Sequence, residues 1–328
     1  MSSLADALGP VARDMADGGV LLAPGDERAL ANALHVLADQ GARLNRDATL
    51  SRERLTEVGP VEPRSMTVEV GAGVVLQRLD DRLRTFGLTV GPLSPSAMQL
   101  TLGDFLEGPF AGLRAIPGGR LEPLCTRLVA VLADGRRLET SEAPRSAAGP
   151  DLAALVLGGH GRLGVVTRAR VRCFPLPEAD VRATYSLPSP AAFVTAFTRA
   201  VAEGAWPWRV HVDPRSGRVV AEVRLAGSAG AVERDRDLFG RCVDEAGGRP
   251  SGDAEREGPV AVSHESTWPA VQVSLDAGRA LQLFRLSLGT VVARGDVDGL
   301  RLDEPTAWSS LGGRLLALDP RGVLGGAP

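Results

Sequence analysis

Lysine is absent from this chain of 328 residues, so arginine supplies all 37 of its permanently positive side chains. Without a lysine amine the chain cannot form a Schiff base with a carbonyl substrate. Acidic residues slightly outnumber the arginines, which gives a formal net charge of -3. This balance excludes the basic surface that nucleic-acid-binding proteins present, and we expect no nucleic-acid partner.

Cysteine is equally scarce, because only Cys125, Cys173 and Cys242 are present and they lie far apart. No Cys-x-x-Cys spacing occurs, so cysteines of this chain cannot assemble a zinc site or an iron–sulfur cluster. His264 and Glu265 have no third ligand at metal spacing, so we expect no metal site there. Few cysteines are consistent with a reducing compartment.

Long apolar runs are also missing. The N-terminus has acidic residues early and no uninterrupted apolar leader, and no later run approaches the roughly 20 apolar residues that a membrane span needs. We therefore expect a cytoplasmic protein without a membrane span.

The first half of the sequence alternates helical and extended patterns. Apolar residues recur at helical spacing from Asp26 to Gln40 and again from Leu76 to Phe86, and both segments end beside a glycine. Alternation at residues 66–70 predicts a strand that enters a glycine turn. The Asp134-Gly135 dipeptide between two apolar runs predicts a β-hairpin.

A second α+β unit is predicted after a proline-marked boundary at residues 175–190. Its pattern reads helix, hairpin, helix, in the order of a β-α-β-β-α-β cap. We divide the chain into residues 1–178 and residues 179–328. Residues 249–257 predict a loop, alternating strands with a helical interruption follow it, and the C-terminal segment predicts a helix and a turn.

The stretch from Gly103 to Gly119 is too rich in glycine for a packed helix. Surface loops seldom need so many glycines, and we favour close backbone approach to a ligand over a plain flexible loop.

Several motifs occur in a characteristic order. They are MTVEVGAG (66–73), GLTVGPLSPSAMQLTLGD (87–104), LVAVLADGR (128–136), AAGPDLAALVLGGHGRLGVVTRARV (147–171) and LDPRGV (318–323). Together they resemble the FAD-linked oxidases of the vanillyl-alcohol oxidase (PCMH) type, and most of all the FAD-binding subunit of glycolate oxidase. The resemblance implies an α+β fold in which two α/β subdomains bind FAD and a smaller α+β cap domain follows, with the C-terminal segment returning to the FAD domain.

This family holds FAD in an elongated cleft through backbone amides of glycine-rich loops, where the lack of a Cβ permits close approach. The resemblance places the second and third of these loops near residues 101–103 and 158–167. The residues that it implies for cofactor binding are Pro95, Thr101, Leu102, Gly103, Gly108, Gly112, Gly161, Leu163, Gly164, Val165, Val166 and Thr167.

The chain departs from the family pattern at three places. No glycine occurs between Gly41 and Gly59, so the first phosphate-binding loop is missing. Asp104 replaces the second glycine of the family's Thr-x-Gly-Gly motif, where a carboxylate would repel a pyrophosphate unless it points away. Pro150 replaces a family tyrosine. These departures favour weak or absent FAD binding.

No catalytic residue can be assigned from the sequence. Arg114, Arg120 and Arg209 could pair a substrate carboxylate, but so many arginines are present that each is more simply a surface or salt-bridged side chain. We interpret His160 as a loop histidine rather than a base. His211 is interpreted as a cap-domain surface residue, and Tyr185 as a packing residue.

Three functions stay open. The leading one is an accessory FAD-fold subunit of a glycolate (2-hydroxy acid) dehydrogenase complex, with a larger flavin subunit and an iron–sulfur subunit as partners and a small 2-hydroxy acid as substrate if the chain is active. The alternative is a non-catalytic pseudo-enzyme that keeps the fold as a structural or regulatory subunit. A sugar- or nucleotide-binding module ranks last.

Overall fold

A computed structural model describes most of the chain up to residue 251 and one short strand beyond it. The described residues are 4–16, 18–44, 46–91, 93, 95–108, 113–115, 121–142, 152–215, 218–251 and 291–293. The segments predicted as a loop at residues 252–257 and as the C-terminal helix and turn lie outside these ranges, as do His264, Glu265 and the LDPRGV motif.

The first subdomain packs one long helix on a small sheet. Its elements are α1 (Leu4–Leu8), a 3₁₀ turn (Gly9–Val11), β1 (Ala12–Asp14), β2 (Val20–Leu22), α2 (Glu27–Asp39) and β3 (Ala48–Leu50). Strand β2 lies between β1 and β3 and pairs antiparallel with β1 and parallel with β3. The Asp26 carboxylate caps α2 by accepting from the Ala29 N–H at 2.7 Å.

The second subdomain contains the larger sheet. Its elements are β4 (Val58–Glu62), β5 (Thr67–Gly71), α3 (Leu76–Arg84), β6 (Leu88–Thr89), α4 (Pro95–Met98), α5 (Leu102–Glu107), β7 (Leu113–Ala115), β8 (Leu121–Pro123), β9 (Cys125–Val131), β10 (Arg137–Glu139), α6 (Ala153–Val156), β11 (Val165–Arg172) and β12 (Phe174–Pro175). Five strands form an antiparallel sheet in the order β10-β9-β11-β5-β4.

A shared core joins the two subdomains. Leu30, Leu34 and Leu37 on the apolar face of α2 are fully buried, and they belong to one hydrophobic cluster with Val131 and Val165 at the ends of β9 and β11. A second cluster lies under the larger sheet and includes the apolar faces of α3 and α5. The two subdomains therefore meet along the edge where β9 and β11 end.

The chain between β3 and β4 lies directly against the glycine turn after β5. The Gly71 N–H donates to the Glu57 carbonyl, and the Gly73 N–H donates to the Leu55 carbonyl. A Cβ at Gly73 would lie 1.9 Å from the Arg52 carbonyl oxygen. Glycine is thus required at these two positions because the backbone of residues 52–57 passes close to them. This segment lies where the sequence lacks the first phosphate-binding loop.

The cap region is a separate α+β layer. Its elements are β13 (Ala179–Leu187), α7 (Pro190–Ala202), β14 (Arg209–Arg215), β15 (Arg218–Gly227), α8 (Ala229–Glu245), β16 (Arg249–Pro250) and β17 (Val291–Ala293). The sheet order is β16-β13-β15-β14-β17, and α7 and α8 share a core of their own with its buried residues. This is the predicted β-α-β-β-α-β order.

Most of the predicted elements are confirmed, and one expectation is wrong. The hairpin of β9 and β10 turns at Gly135, which has a φ of 78°. The glycine-rich stretch, however, begins as a helix, because α5 runs through Gly103 up to Glu107. Thr101 caps this helix and Phe105 and Leu106 anchor it in the core, which offsets the low helix propensity of glycine.

None of the described helices combines the length and apolar character that a membrane span requires. Within the same residues, no group of three or more His, Cys, Asp and Glu side chains is arranged to hold a metal ion. The three cysteines are buried and are not joined in disulfides.

Candidate functional site

A cleft lies between the two subdomains. Its larger part has a volume of about 450 Å³, and its smaller part of about 370 Å³ shares Leu50, Arg52 and Asp104 with it. The first subdomain contributes Leu44 and Leu50. The facing wall is built from α5 and from the turn that precedes β11. The cleft therefore occupies the position that the sequence resemblance implies for the cofactor.

The start of α5 forms one wall of the cleft, and its backbone donors are already bonded. The Leu102 N–H donates to the Val74 carbonyl, and the Gly103 N–H donates to the Ala72 carbonyl, both at 2.8 Å. The Asp104 N–H donates to the Thr101 hydroxyl, which in turn donates to the Asp104 carboxylate. The second predicted loop is thus a helix start whose first amides bond to protein oxygens.

Arg52 crosses the cleft and binds two carboxylates of α5. Its Nη1 lies 2.7 Å from Asp104 Oδ1, and its Nη2 lies 2.5 Å from Glu107 Oε2. The Arg52 side chain is only 11% exposed, and its Nε is buried without a hydrogen-bond partner among the described residues. A Cβ at Gly103 would lie 2.5 Å from this Nε. The glycine at position 103 therefore makes room for the arginine.

Glu107 is the buried end of this network. Its side chain is 7% exposed, and Oε1 accepts a 2.6 Å hydrogen bond from the Val166 N–H. Burial raises the pKa of Glu107 above the ordinary glutamate value, although the charge of Arg52 and the Val166 N–H both act in the opposite direction. The carboxylate thus occupies a backbone donor in the loop that the resemblance assigns to the cofactor.

The turn before β11 completes the cleft wall. His160 and Gly161 both have positive φ, at 50° and 73°, and both line the cleft. The His160 N–H donates to the Glu107 carbonyl oxygen, which ties this turn to α5. Glycine suits such a backbone, whereas His160 adopts it as an uncommon non-glycine residue.

The structure brings some of the predicted cofactor residues to the cleft and places others behind it. Gly108, Gly161 and Val165 line its larger part, and Thr101 lines its smaller part. The residues that are buried behind the wall are Leu102, Gly103, Leu163, Gly164, Val166 and Thr167. The Pro95 side chain and Gly112 lie outside the described part. Whether these residues contact a cofactor stays a prediction.

Two cleft residues were missed by the sequence reasoning. Arg52 lies 52 positions before Asp104 in a segment without a recognisable motif. Glu107 is a single glutamate three residues after Asp104. The absence of glycine between residues 41 and 59 was the available signal, because it showed that another kind of segment faces the cleft.

Among the arginine and tyrosine candidates, the structure describes the side chain of Tyr185 alone. Tyr185 is buried in the cap core, and its hydroxyl donates to the Arg236 carbonyl oxygen at 3.4 Å, which agrees with a packing role. Arg120 lies outside the described residues, and the side chains of Arg114, Arg209 and His211 are not described. His160 is exposed at the cleft, so its interpretation as a loop histidine stays open.

Comparison with protein families identifies the domain around this cleft. Residues 21–141 match the family described as FAD binding domain. This range runs from β2 through β10 and includes Arg52, Asp104 and Glu107, whereas the turn before β11 lies beyond it.

Curated relatives match over stretches of 127 to 147 residues. D-lactate dehydrogenase of Archaeoglobus fulgidus is 35% identical over 127 residues, which are 38% of this chain and 28% of that protein. Glycolate oxidase subunit GlcD of Bacillus subtilis is 30% identical over 128 residues, which are 38% and 27% of the two chains. Alkyldihydroxyacetonephosphate synthase of Caenorhabditis elegans is 28% identical and is covered to 25%. The chain thus spans about a quarter of each of these relatives.

Solved structures share the fold over a larger range. An alkyldihydroxyacetonephosphate synthase structure matches with a TM-score of 0.58 at 15% identity, covering 71% of this chain and 52% of that one. p-Cresol methylhydroxylase with substrate bound matches with a TM-score of 0.55 at 12% identity, covering 72% and 59%. The class of protein is therefore an α+β protein with an FAD-binding domain.

Residues 21–141 thus contain an FAD binding domain, and the similarity to glycolate oxidase subunit GlcD and the fold shared with p-cresol methylhydroxylase agree with the PCMH-type resemblance of the motifs. The family match supports FAD as the cofactor of this domain.

The cleft in this arrangement does not fit the diphosphate of FAD. Its described charged lining comprises two arginines and three carboxylates, so it is not an electropositive site. The Gly103 and Val166 amides donate to protein oxygens, and Arg52 is held by Asp104 and Glu107. A diphosphate needs free donors and positive charge at close range. The Arg52 network has to change before these groups can receive one.

Proposed function

We propose that this chain is an accessory FAD-fold subunit of a 2-hydroxy acid oxidoreductase assembly in the cytoplasm. The observation that carries the proposal is the cleft between the subdomains of an FAD-binding domain, with Gly108, Gly161 and Val165 on its wall. Two relatives, a D-lactate dehydrogenase and a glycolate oxidase subunit, take their names from 2-hydroxy acids and support the substrate class.

The accessory role follows from the chemistry that the described cleft lacks. Oxidation of a 2-hydroxy acid requires a cation for the carboxylate and a base for the hydroxyl proton. Arg52 is bound by two carboxylates, and the second arginine, Arg78, is exposed at the smaller part of the cleft. His160 has no described partner that would orient it as a base. We therefore assign the oxidation of the substrate to a larger flavin subunit, with an iron–sulfur subunit as electron acceptor.

Coexpression tests this proposal. The full chain is produced with a flavin subunit of the GlcD type, and glycolate and D-lactate oxidation is measured with a dye as electron acceptor. We expect the two chains to elute together and the oxidation rate to depend on this chain. Equal rates with and without it, and separate elution, would overturn the proposal.

A second candidate is a non-catalytic subunit that keeps the fold for its surfaces. It is favoured by the Arg52 ion pairs, since they occupy the cation that a cofactor diphosphate would need. The flavin content of the purified assembly separates the two candidates. If the assembly contains one more flavin than the flavin subunit binds by itself, the accessory flavoprotein is supported. If it contains no additional flavin and the oxidation rate is unchanged, the non-catalytic subunit is supported.

A further inference from the structure

We infer that Glu107 and Arg52 act as an internal ligand of the cleft, so that Glu107 determines how strongly the cleft binds the diphosphate of FAD. The inference rests on the proposed cofactor cleft and goes beyond it by naming the residues that control its affinity. It follows from the two hydrogen-bond donors that the Glu107 carboxylate occupies and from the unpartnered Nε of Arg52.

The Glu107 carboxylate occupies two donors at once. Oε1 holds the Val166 N–H at 2.6 Å and Oε2 holds Arg52 Nη2 at 2.5 Å. An amide at the start of a strand and a guanidinium are the donors that an anionic phosphate oxygen uses. A buried carboxylate in their place satisfies both, and it also repels a second anion.

The hydrogen-bonding capacity of Arg52 is not fully used. Its Nε has no partner in the described part of the protein, and the Gly103 backbone lies beside it. Because a buried donor without an acceptor costs free energy, Arg52 gains from a ligand oxygen that can reach its Nε. The same arginine that closes the cleft would thus bind a diphosphate once Glu107 no longer held it.

Asp104 contributes less to this control. Its side chain is 48% exposed, whereas that of Glu107 is 7% exposed, so water screens its charge. The cleft also contains Glu53, whose carboxylate lies 3.7 Å from exposed Arg13 and, within the described residues, accepts no hydrogen bond from Arg52 or from the Val166 N–H. Glu53 therefore offers a matched control for the removal of one negative charge at the cleft.

Titration of the purified full chain with FAD and with riboflavin tests the inference. Riboflavin shares the flavin ring but lacks the diphosphate. We expect Glu107→Gln to lower the dissociation constant for FAD at least about tenfold and to leave that for riboflavin unchanged within about twofold. Glu53→Gln should change the FAD constant by no more than about twofold, because it removes charge without releasing Arg52.

A second pair of variants covers the case in which Glu107→Gln does not fold, which thermal unfolding would show. Asp104→Gly releases one ion pair of Arg52 and should tighten FAD binding by a smaller factor than Glu107→Gln. The double variant Arg52→Gln/Glu107→Gln should lose the gain, since the cation that binds the diphosphate is then missing.

Equal FAD affinities in the unchanged chain and in folded Glu107→Gln and Asp104→Gly would overturn the inference. So would the absence of FAD binding in all of them, or an equal gain for riboflavin. The coexpression assay is independent of these titrations, so failure of the inference is distinguishable from failure of the proposed function.

Discussion

Glu107 combines almost complete burial with an ion pair, and its stability contribution therefore depends on pH. Because its pKa is raised in the folded chain, the unfolded chain releases this proton first as the pH increases. The folded state then loses stability from the ordinary glutamate range upward, until Glu107 itself ionises. The charged or titratable groups around it in the cleft are Arg52, Asp104 on the same helix, and His160 on the adjoining turn.

Urea unfolding of the unchanged chain and of Glu107→Gln checks this prediction between about pH 4 and pH 8. The other carboxylates are common to both chains and largely cancel in the difference. We expect the stability of the unchanged chain relative to the variant to fall as the pH rises through this window. A difference that stays constant or increases with pH would contradict the raised pKa.

Gly103 and Gly240 test how tightly Arg52 is packed, since both glycines lie inside helices. A Cβ at Gly103 would meet Arg52 Nε at 2.5 Å, whereas a Cβ at Gly240 would meet nothing within 4 Å. We expect Gly103→Ala to destabilise the protein by about 1–3 kcal/mol through displacement of the arginine. Gly240→Ala should stabilise it by about 0.5–1 kcal/mol.

Denaturant unfolding of both variants decides the matter, and equal effects of the two substitutions would show that Arg52 does not depend on position 103.

At the residue scale the sequence allowed only part of the site to be predicted. Asp104 could be recognised because it interrupts a motif that has glycine there in the family. Arg52 could not, because only the folded chain brings the segment after β3 to the start of α5. A lone buried glutamate such as Glu107 gives no periodic or spacing signal at all.

At the element scale, the two helices of the cap differ in their N-caps. The Ser189 hydroxyl accepts from the Ala192 N–H at the start of α7, whereas Ser228 makes no such bond at the start of α8. We expect Ser189→Ala to cost about 1 kcal/mol and Ser228→Ala less than about 0.5 kcal/mol, measured by denaturant unfolding. Equal losses would argue against the difference in capping.

The segment between β3 and β4 gives a second prediction for an element. Gly73→Ala would drive a Cβ into the Arg52 carbonyl, while a Cβ at Gly59 would lie 3.4 Å from its nearest atom, the Glu69 carbonyl oxygen. We expect a loss of about 3 kcal/mol in unfolding free energy for Gly73→Ala and a smaller one for Gly59→Ala. A mild effect at Gly73 would mean that this segment is free to move away from the turn.

Periodicity explains which elements could be predicted. Helices α2 and α3 carry an apolar face at helical spacing, and both were predicted nearly to their ends. Helix α5 was not predicted, since its two core residues Phe105 and Leu106 are adjacent and its first turn contains Gly103. Its stability comes from tertiary burial and from the Thr101 cap, which the local pattern does not reveal.

At the scale of the whole molecule, the fold class was predictable because the order of motifs carries it. The FAD-binding domain at residues 21–141 and the shared fold of the solved structures agree with that order. The activity is less determined, because the chain spans about a quarter of the curated relatives named here. The motifs indicate the fold that surrounds the cleft, whereas the charges that line the cleft come from single residues.

The most direct test of the account is hydrogen exchange of the full chain with and without FAD, read by mass spectrometry. The account predicts slower exchange at the cleft walls, in residues 50–56, 101–108 and 159–167, and unchanged exchange in residues 179–251. The effect should be larger in Glu107→Gln. Unchanged exchange at the cleft walls under saturating FAD, or protection confined to the cap region, would contradict the placement of the cofactor between the two subdomains.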